Sequence, residues 1–231
     1  AVMRAVRHAV EQGWDVQWPM LPVECGAFTL SVASDYFAVG TVADFVYVPL
    51  DGLTAQWVAD RRGCMLPTRK MVRAIWLAAG RRVDAARLPM TPAQGYPYDE
   101  TMFHVKRLPV HTERIRLALN GSGGVCAGGK KDVVLSNRLT ERPGRVVAIH
   151  GWQRAAGSPI QGPGVSIRHE AEYWDYSHGA RFVDLRCRVG LIEVPTLEVL
   201  QGADHADLSD EGPLRVLRYD PPARPMQEPQ S

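Results

Sequence analysis

Between His169 and Gly179, eleven residues hold two histidines (His169, His178), three carboxylates (Glu170, Glu172, Asp175), Ser177, two tyrosines (Tyr173, Tyr176) and Trp174. So much titratable and aromatic chemistry in one stretch reads as the lining of a site rather than as a surface loop. Three chemistries use these residue types. A zinc ion would take His169, His178 and Asp175, although their spacing is not that of HExxH. A nucleophile would be Ser177, with His169 or His150 as its base, but no GxSxG elbow surrounds it. An acid/base pair would join Asp175 to Glu170 or Glu172, as in glycosidases. Binding without turnover and a purely structural polar cluster stand beside these. If the stretch is a strand, Asp175 and Ser177 share one face and Tyr176 and His178 the other. All four serve one site only if the strand breaks, which Gly179 would allow.

Two further stretches carry chemistry. Gly128-Gly129-Lys130-Lys131-Asp132 opens a strand with two ammonium groups that could meet a carboxylate or phosphate, and Asp132 would orient one of them. It is not a P-loop, because GxxxxGK[ST] is missing and no helix follows. His150-Gly151-Trp152-Gln153 closes another strand, where Trp152 would offer an apolar wall with one N–H donor. The alternatives are a lysine-bearing strand entry and a core indole under a loop. Cys64, just ahead of a helix, would have its thiol pKa lowered by the helix dipole, unless it is a buried structural cysteine.

Helical patterning covers residues 1–12, 54–62 and 67–80, the last with Met71, Val72, Ile75, Trp76 and Ala79 as one apolar stripe. Shorter helices are expected at 110–119 and 194–201. Strands are expected at 28–33, 45–50, 132–135, 145–149 and 180–187. Residues 14–26 and 88–109 read as Pro-containing connections. Helices early and strands late predict one α+β domain over 1–220, its N-terminal helices packed on a mainly antiparallel C-terminal sheet, followed by a Pro-rich disordered tail at 221–231.

A formal charge of +2 argues against wholesale nucleic-acid binding, and no apolar run is long enough to span a membrane. Residues 61–87 nevertheless hold eight Arg and Lys. They would dock on acidic neighbours or form an anion-binding face. Cys25, Cys64, Cys126 and Cys187 lack any CxxC pair; in an exported chain they allow two disulfides in three pairings.

Several blocks then resemble one family. Tyr36–Gly40, Thr54–Gln56 with Ala59-Asp60, and Leu66–Ile75 are similar to successive blocks of a group of uncharacterised bacterial proteins whose members look exported. Lys130–Val134 with Asn137–Leu139 resembles that group's "GHKKDVVLTNRL", Gly151-Trp152 with Pro159–Gln161 its "YGWH…PIQP", and Tyr173–Val183 its "YADYSHGIRLV". The likeness runs over residues 28–185. It implies export and no particular reaction. Gly129 and Gln153 stand where the family pattern has histidines, which would mark an altered or inactive member.

The expected site gathers Lys130–Asp132, His150–Gln153 and His169–His178. The leading function is hydrolysis of a peptide or glycan polymer in the cell envelope or outside the cell. Asp175, His178, His169 and Ser177 would be catalytic. Lys130, Lys131, Asp132, Trp152, Tyr173 and Trp174 would bind a polymeric or small-molecule substrate, without metal or other cofactor. The alternative is a non-catalytic module for a glycan or an anion.

Overall fold

A computed structural model describes residues 2–85, 87–88, 104–119, 124–154, 156–162 and 164–220. Helix α1 (Val2–Glu11) turns Val6 and Ala9 inward. Helix α2 (Gly52–Arg61) starts at Asp51, whose carboxylate accepts the Thr54 amide at 2.6 Å, and α3 (Arg69–Ala78) starts at Thr68, whose hydroxyl accepts the Met71 amide at 3.1 Å. Such caps satisfy amides that have no partner inside the helix. The apolar stripe of α3 buries Met71, Val72, Ile75 and Trp76.

Two sheets flank α3. The first runs β1 (Met20–Cys25), β2 (Phe28–Ala33), β12 (Val183–Val189) and β13 (Ile192–Pro195), antiparallel throughout, with β5 (Cys64–Met65) also on β12. The second runs β10 (Ser166–Glu170), β9 (Val146–Gly151), β8 (Lys131–Val133) and β11 (His178–Gly179), antiparallel except for the parallel step from β8 to β11. Two ribbons complete the set: β3 (Ala38–Gly40) with β4 (Phe45–Tyr47), and the parallel pair β6 (Arg81–Val83) with β7 (Cys126–Gly128). Helix α4 (Leu108–Leu119) packs on β4 and β6; α5 (Thr196–Gln201) packs on β12 and β13, and α6 (His205–Leu208) packs on α5. No helix among the described residues is long and apolar enough to cross a membrane.

The α+β class is as expected, with helices concentrated early and second-sheet strands late. Several boundaries differ. The strand expected over 45–50 ends at Tyr47. Residues 20–25, expected as connection, form β1; Val23 and Cys25 alternate inward, and Pro22 is tolerated because β1 lies at a sheet edge. The expected irregular stretch falls largely, and the tail at 221–231 wholly, outside the described residues.

The two sheets and the β6–β7 ribbon meet at Arg181, whose side chain is fully buried. Its Nη1 donates to the Ala33 carbonyl at 2.8 Å and its Nη2 to the Cys126 carbonyl at 2.7 Å. The guanidinium lies 4.2 Å from the centroid of the Tyr36 ring. Beside it Asp35 accepts the Tyr47 hydroxyl at 2.6 Å, the Cys126 thiol at 2.7 Å and the Tyr36 amide at 2.7 Å. Removing one partner from a buried polar network leaves the others desolvated and unpaired. Arg181→Met should therefore lower the midpoint of urea unfolding, at a cost of about 3–5 kcal/mol. An unshifted midpoint would show that the guanidinium is dispensable.

Candidate functional site

The second sheet brings the three expected segments side by side. Asp132 pairs with His150 and Lys131 with Gly151 across β8 and β9, and His178 pairs with Lys131 across β8 and β11. Neighbouring residues of a strand point to opposite faces. Lys131 and Asp132 therefore belong to different sides of this sheet, and so to different clusters.

On the first side, Lys131 Nζ meets Asp175 Oδ2 at 2.6 Å, with both side chains nearly buried. Asp175 Oδ1 accepts the Ser177 amide at 2.7 Å and also the Ser177 hydroxyl. His178 Nε2 lies 3.9 Å from Asp175 Oδ2. This contact exists because residues 175–178 make a tight turn, the His178 amide donating to the Asp175 carbonyl at 3.0 Å, instead of the extended run that would have parted them. Gly179 lies inside β11 and serves close packing: a Cβ there would come 2.8 Å from the Lys130 Cβ.

The electrostatics of this cluster oppose the proton exchange expected of it. Burial favours the neutral acid at Asp175, but His178, Lys131 and Ser177 together hold its carboxyl well below the usual carboxylate range. Burial pushes the fully enclosed His178 ring down to about 4, with Asp175 opposing. The ring is thus neutral near pH 7, and Lys131 is the cation that keeps Asp175 ionised. So weak a base is far from the pKa that efficient proton transfer needs. Ser177 is buried and bonded to Asp175 rather than to an imidazole, so no nucleophile–base pair forms.

The aromatic members pack on one another. His169 stacks on Tyr173 with ring centroids 3.9 Å apart, Tyr173 meets His178 edge-on at 5.6 Å, and Trp174 lies 6.0 Å from His104. Lys130 is fully buried, donating to the Tyr176 carbonyl at 2.9 Å, and burial lowers its ammonium to about 7. Trp152 is buried too, 5.1 Å from Lys131 Nζ, with its indole N–H bonded to the Gly129 carbonyl at 3.0 Å. It adopts φ 55, the left-handed region that favours glycine, a strain that structures retain where side chains must be aimed.

The other side of the sheet opens to solvent. A cleft of about 460 Å³ lies between α3 and the loop after β9, lined by Arg69, Arg73, Trp76, His150, Gln153 and Asp210 among others. Beneath it is a cavity of about 10 Å³, lined by Tyr36, Asp132 and Arg181 and sharing Trp76 and Gln153 with the cleft. That is the size of one water molecule. Burial pushes the Asp132 carboxyl up to about 7, with Arg181 and the Tyr36 hydroxyl opposing. Oδ2 accepts that hydroxyl at 3.3 Å; Oδ1, like Gln153 Oε1, has no hydrogen-bond partner among the described residues.

His150 is buried at the base of the cleft, with Nδ1 2.9 Å from the Gly164 carbonyl. A carbonyl only accepts, so Nδ1 carries the proton and Nε2 is left as an acceptor. Burial lowers this ring below its ordinary value, against the bond to Gly164. Burial thus raises the carboxyl of Asp132 and lowers the ring of His150, the two residues that pair across β8 and β9. Trp76, read from sequence as part of a core stripe, and Arg73, read as one of a basic run, are the cleft residues that periodicity could not single out.

Cysteine chemistry finds no support in this arrangement. All four cysteines are free, and burial pushes the Cys64 thiol up, since Cys64 sits in β5 rather than at the start of α3. Among the described residues no three His, Cys, Asp or Glu side chains are placed to hold a metal ion.

The Lys131–Asp175–His178 cluster ties stability to pH. His178 and Asp175 both have folded pKa values below their unfolded ones, so the unfolded chain binds more protons on acidification. Their stabilisation is complete above pH ~6.5 and is lost as pH falls, His178 from ~6.5 to ~4 and Asp175 below ~4. Thermal unfolding midpoints should fall through that window, and His178→Asn should flatten the upper part of the slope; an identical slope in the variant would contradict this.

Compared with known protein families, with curated proteins and with solved structures, the chain matches none.

Proposed function

We propose that the protein is a hydrolase of a peptide or glycan polymer, working in the cell envelope or outside the cell, with Asp132 and His150 as its acid/base pair. The observation that carries this reading is the placement of that pair across β8 and β9, between a water-sized cavity and an open cleft. Burial moves the aspartate up and the histidine down, so near neutral pH one can hold a proton while the other can accept one. Protonated Asp132 would donate from Oδ1 to a water molecule in the inner cavity, which would donate in turn to Gln153 Oε1. His150 Nε2 takes a proton from the attacking water as its oxygen displaces the leaving group from the scissile bond, and protonated Asp132 passes its proton through the inner water to that leaving group. Arg181 and Tyr36 position Asp132 from below. The Lys131–Asp175 cluster supports the same strand from its other side.

A second reading is binding without turnover. Its support is Gln153, a side chain that cannot exchange protons, at a position where the resembling family has histidine.

The two readings separate on a panel of peptides, peptidoglycan and polysaccharide fragments. Asp132→Asn should lower kcat on the cleaved member by about 100-fold or more while leaving the fold intact. The pH profile of kcat/KM should be a bell: it rises as His150 loses its proton below ~6.5 and falls as Asp132 loses its own near 7. Unchanged rates in Asp132→Asn and His150→Gln would sink the assignment, and saturable binding with no product would favour the second reading.

A further inference from the structure

The cleft's charge points to its ligand. Of the basic run at residues 61–87, most members have structural partners. Arg61 pairs with Glu11, Arg62 with Asp15, and Arg69 with Asp210. Lys70 donates to the Ala206 carbonyl, Arg81 to that of Gly124, and Arg82 to those of Trp76 and Leu77. Arg87 lies over the Trp152 ring. Arg73 is exposed, lines the cleft, and has no ion pair or hydrogen bond among the described residues.

Its position is not incidental. Arg69, Arg73 and Trp76 are spaced i, i+4 and i+7 on α3, so they form one stripe along the cleft wall. Arg69 holds Asp210 through two bonds, Nε to Oδ1 at 3.1 Å and Nη2 to Oδ2 at 2.8 Å, which neutralises the one carboxylate lining the cleft among the described residues. The cleft therefore carries a net positive charge centred on Arg73. Beyond it the otherwise buried Trp76 turns its indole N–H toward the cleft, and a Cβ on Gly157, in the opposite wall at φ +84, would come 3.1 Å from that Nε1. Glycine there leaves the N–H approachable. An indole N–H, a carboxamide (Gln153) and an imidazole (His150) around one guanidinium suit a hydroxyl-rich ring with a negative group.

We infer that the cleft takes an acidic glycan, its carboxylate held by Arg73 and a ring hydroxyl at the indole N–H of Trp76. This rests on the cleft proposed above as the substrate site and names its substrate class. It does not depend on turnover.

The test is titration of the intact protein with an oligogalacturonate, a neutral cello-oligosaccharide of equal length, a short poly-glutamate and inorganic phosphate. The oligogalacturonate should bind most tightly, and Arg73→Gln should weaken it by about tenfold with an unchanged melting temperature. Trp76→Phe, which keeps the ring and removes the N–H, should weaken it less. Equal affinity for the neutral sugar, tighter binding of poly-glutamate or phosphate, or indifference to Arg73→Gln would each overturn the inference. Oligogalacturonate that binds but is never cleaved removes the hydrolase and leaves the acidic-glycan cleft standing. Cleavage confined to the neutral sugar does the reverse.

Discussion

Burying the guanidinium of Arg181 is the constraint on which the rest of the structure turns. A charge enclosed among strands is costly unless every donor finds an acceptor and a counter-charge lies close. Here the acceptors are the Ala33 and Cys126 carbonyls, one from the first sheet and one from the β6–β7 ribbon, and Asp35 and Asp132 supply the negative field. The two ends of the polar network are thereby fixed: Asp35, saturated by Tyr47, Cys126 and Tyr36, and Asp132, bonded to Tyr36 and otherwise open to a cavity. Tyr36 bridges them, since its amide serves Asp35 and its hydroxyl serves Asp132. The second sheet is held against this network by β8, the strand that contains Asp132.

Much of the fold was legible because local signals agreed with one another. Helical patterning over 54–62 and 67–80 foretells α2 and α3, and the stripe from Met71 to Trp76 fixes which face of α3 turns inward. The elements that escaped are those whose local signal is weak: β1 carries Pro22, and β5 and β11 have two residues each, so tertiary pairing alone makes them strands. The division of strands between two sheets is likewise a matter of long-range pairing. Val183 and Cys187 join residues near position 30, whereas His178, a few residues earlier, joins Lys131.

The site was legible as residue types and not as roles. Lys131 and Asp132 are adjacent in sequence and face apart, a difference of one step in strand phase. The dense stretch at 169–178 marks a real cluster, but its histidines and tyrosines stack on one another and its turn is closed by Asp175 and Ser177. Trp76 belongs to a helical stripe that looks like core from its spacing, and only the glycine opposite, Gly157, leaves room for a cleft beside it. His150 was visible, yet what distinguishes it is a cross-strand neighbour eighteen positions away, which spacing cannot reveal.

Asp132 and Asp175 show why composition alone misassigns chemistry. Both are buried, and both lie within reach of a basic side chain. Asp175 has Lys131 in direct contact and a hydroxyl and an amide besides, so its charge is locked in place. Asp132 feels Arg181 without a direct ion pair, because that guanidinium is turned to two backbone carbonyls. Its single bond, from a tyrosine hydroxyl at 3.3 Å, is too weak to offset burial, and the proton becomes exchangeable near neutrality. If Arg181 reached Asp132 directly, the two aspartates would behave alike and neither could exchange a proton at pH 7. The carbonyls of Ala33 and Cys126, by holding the guanidinium away, keep the second aspartate reactive. Packing between sheets and the protonation of the carboxyl beneath the cleft are in this way one and the same arrangement.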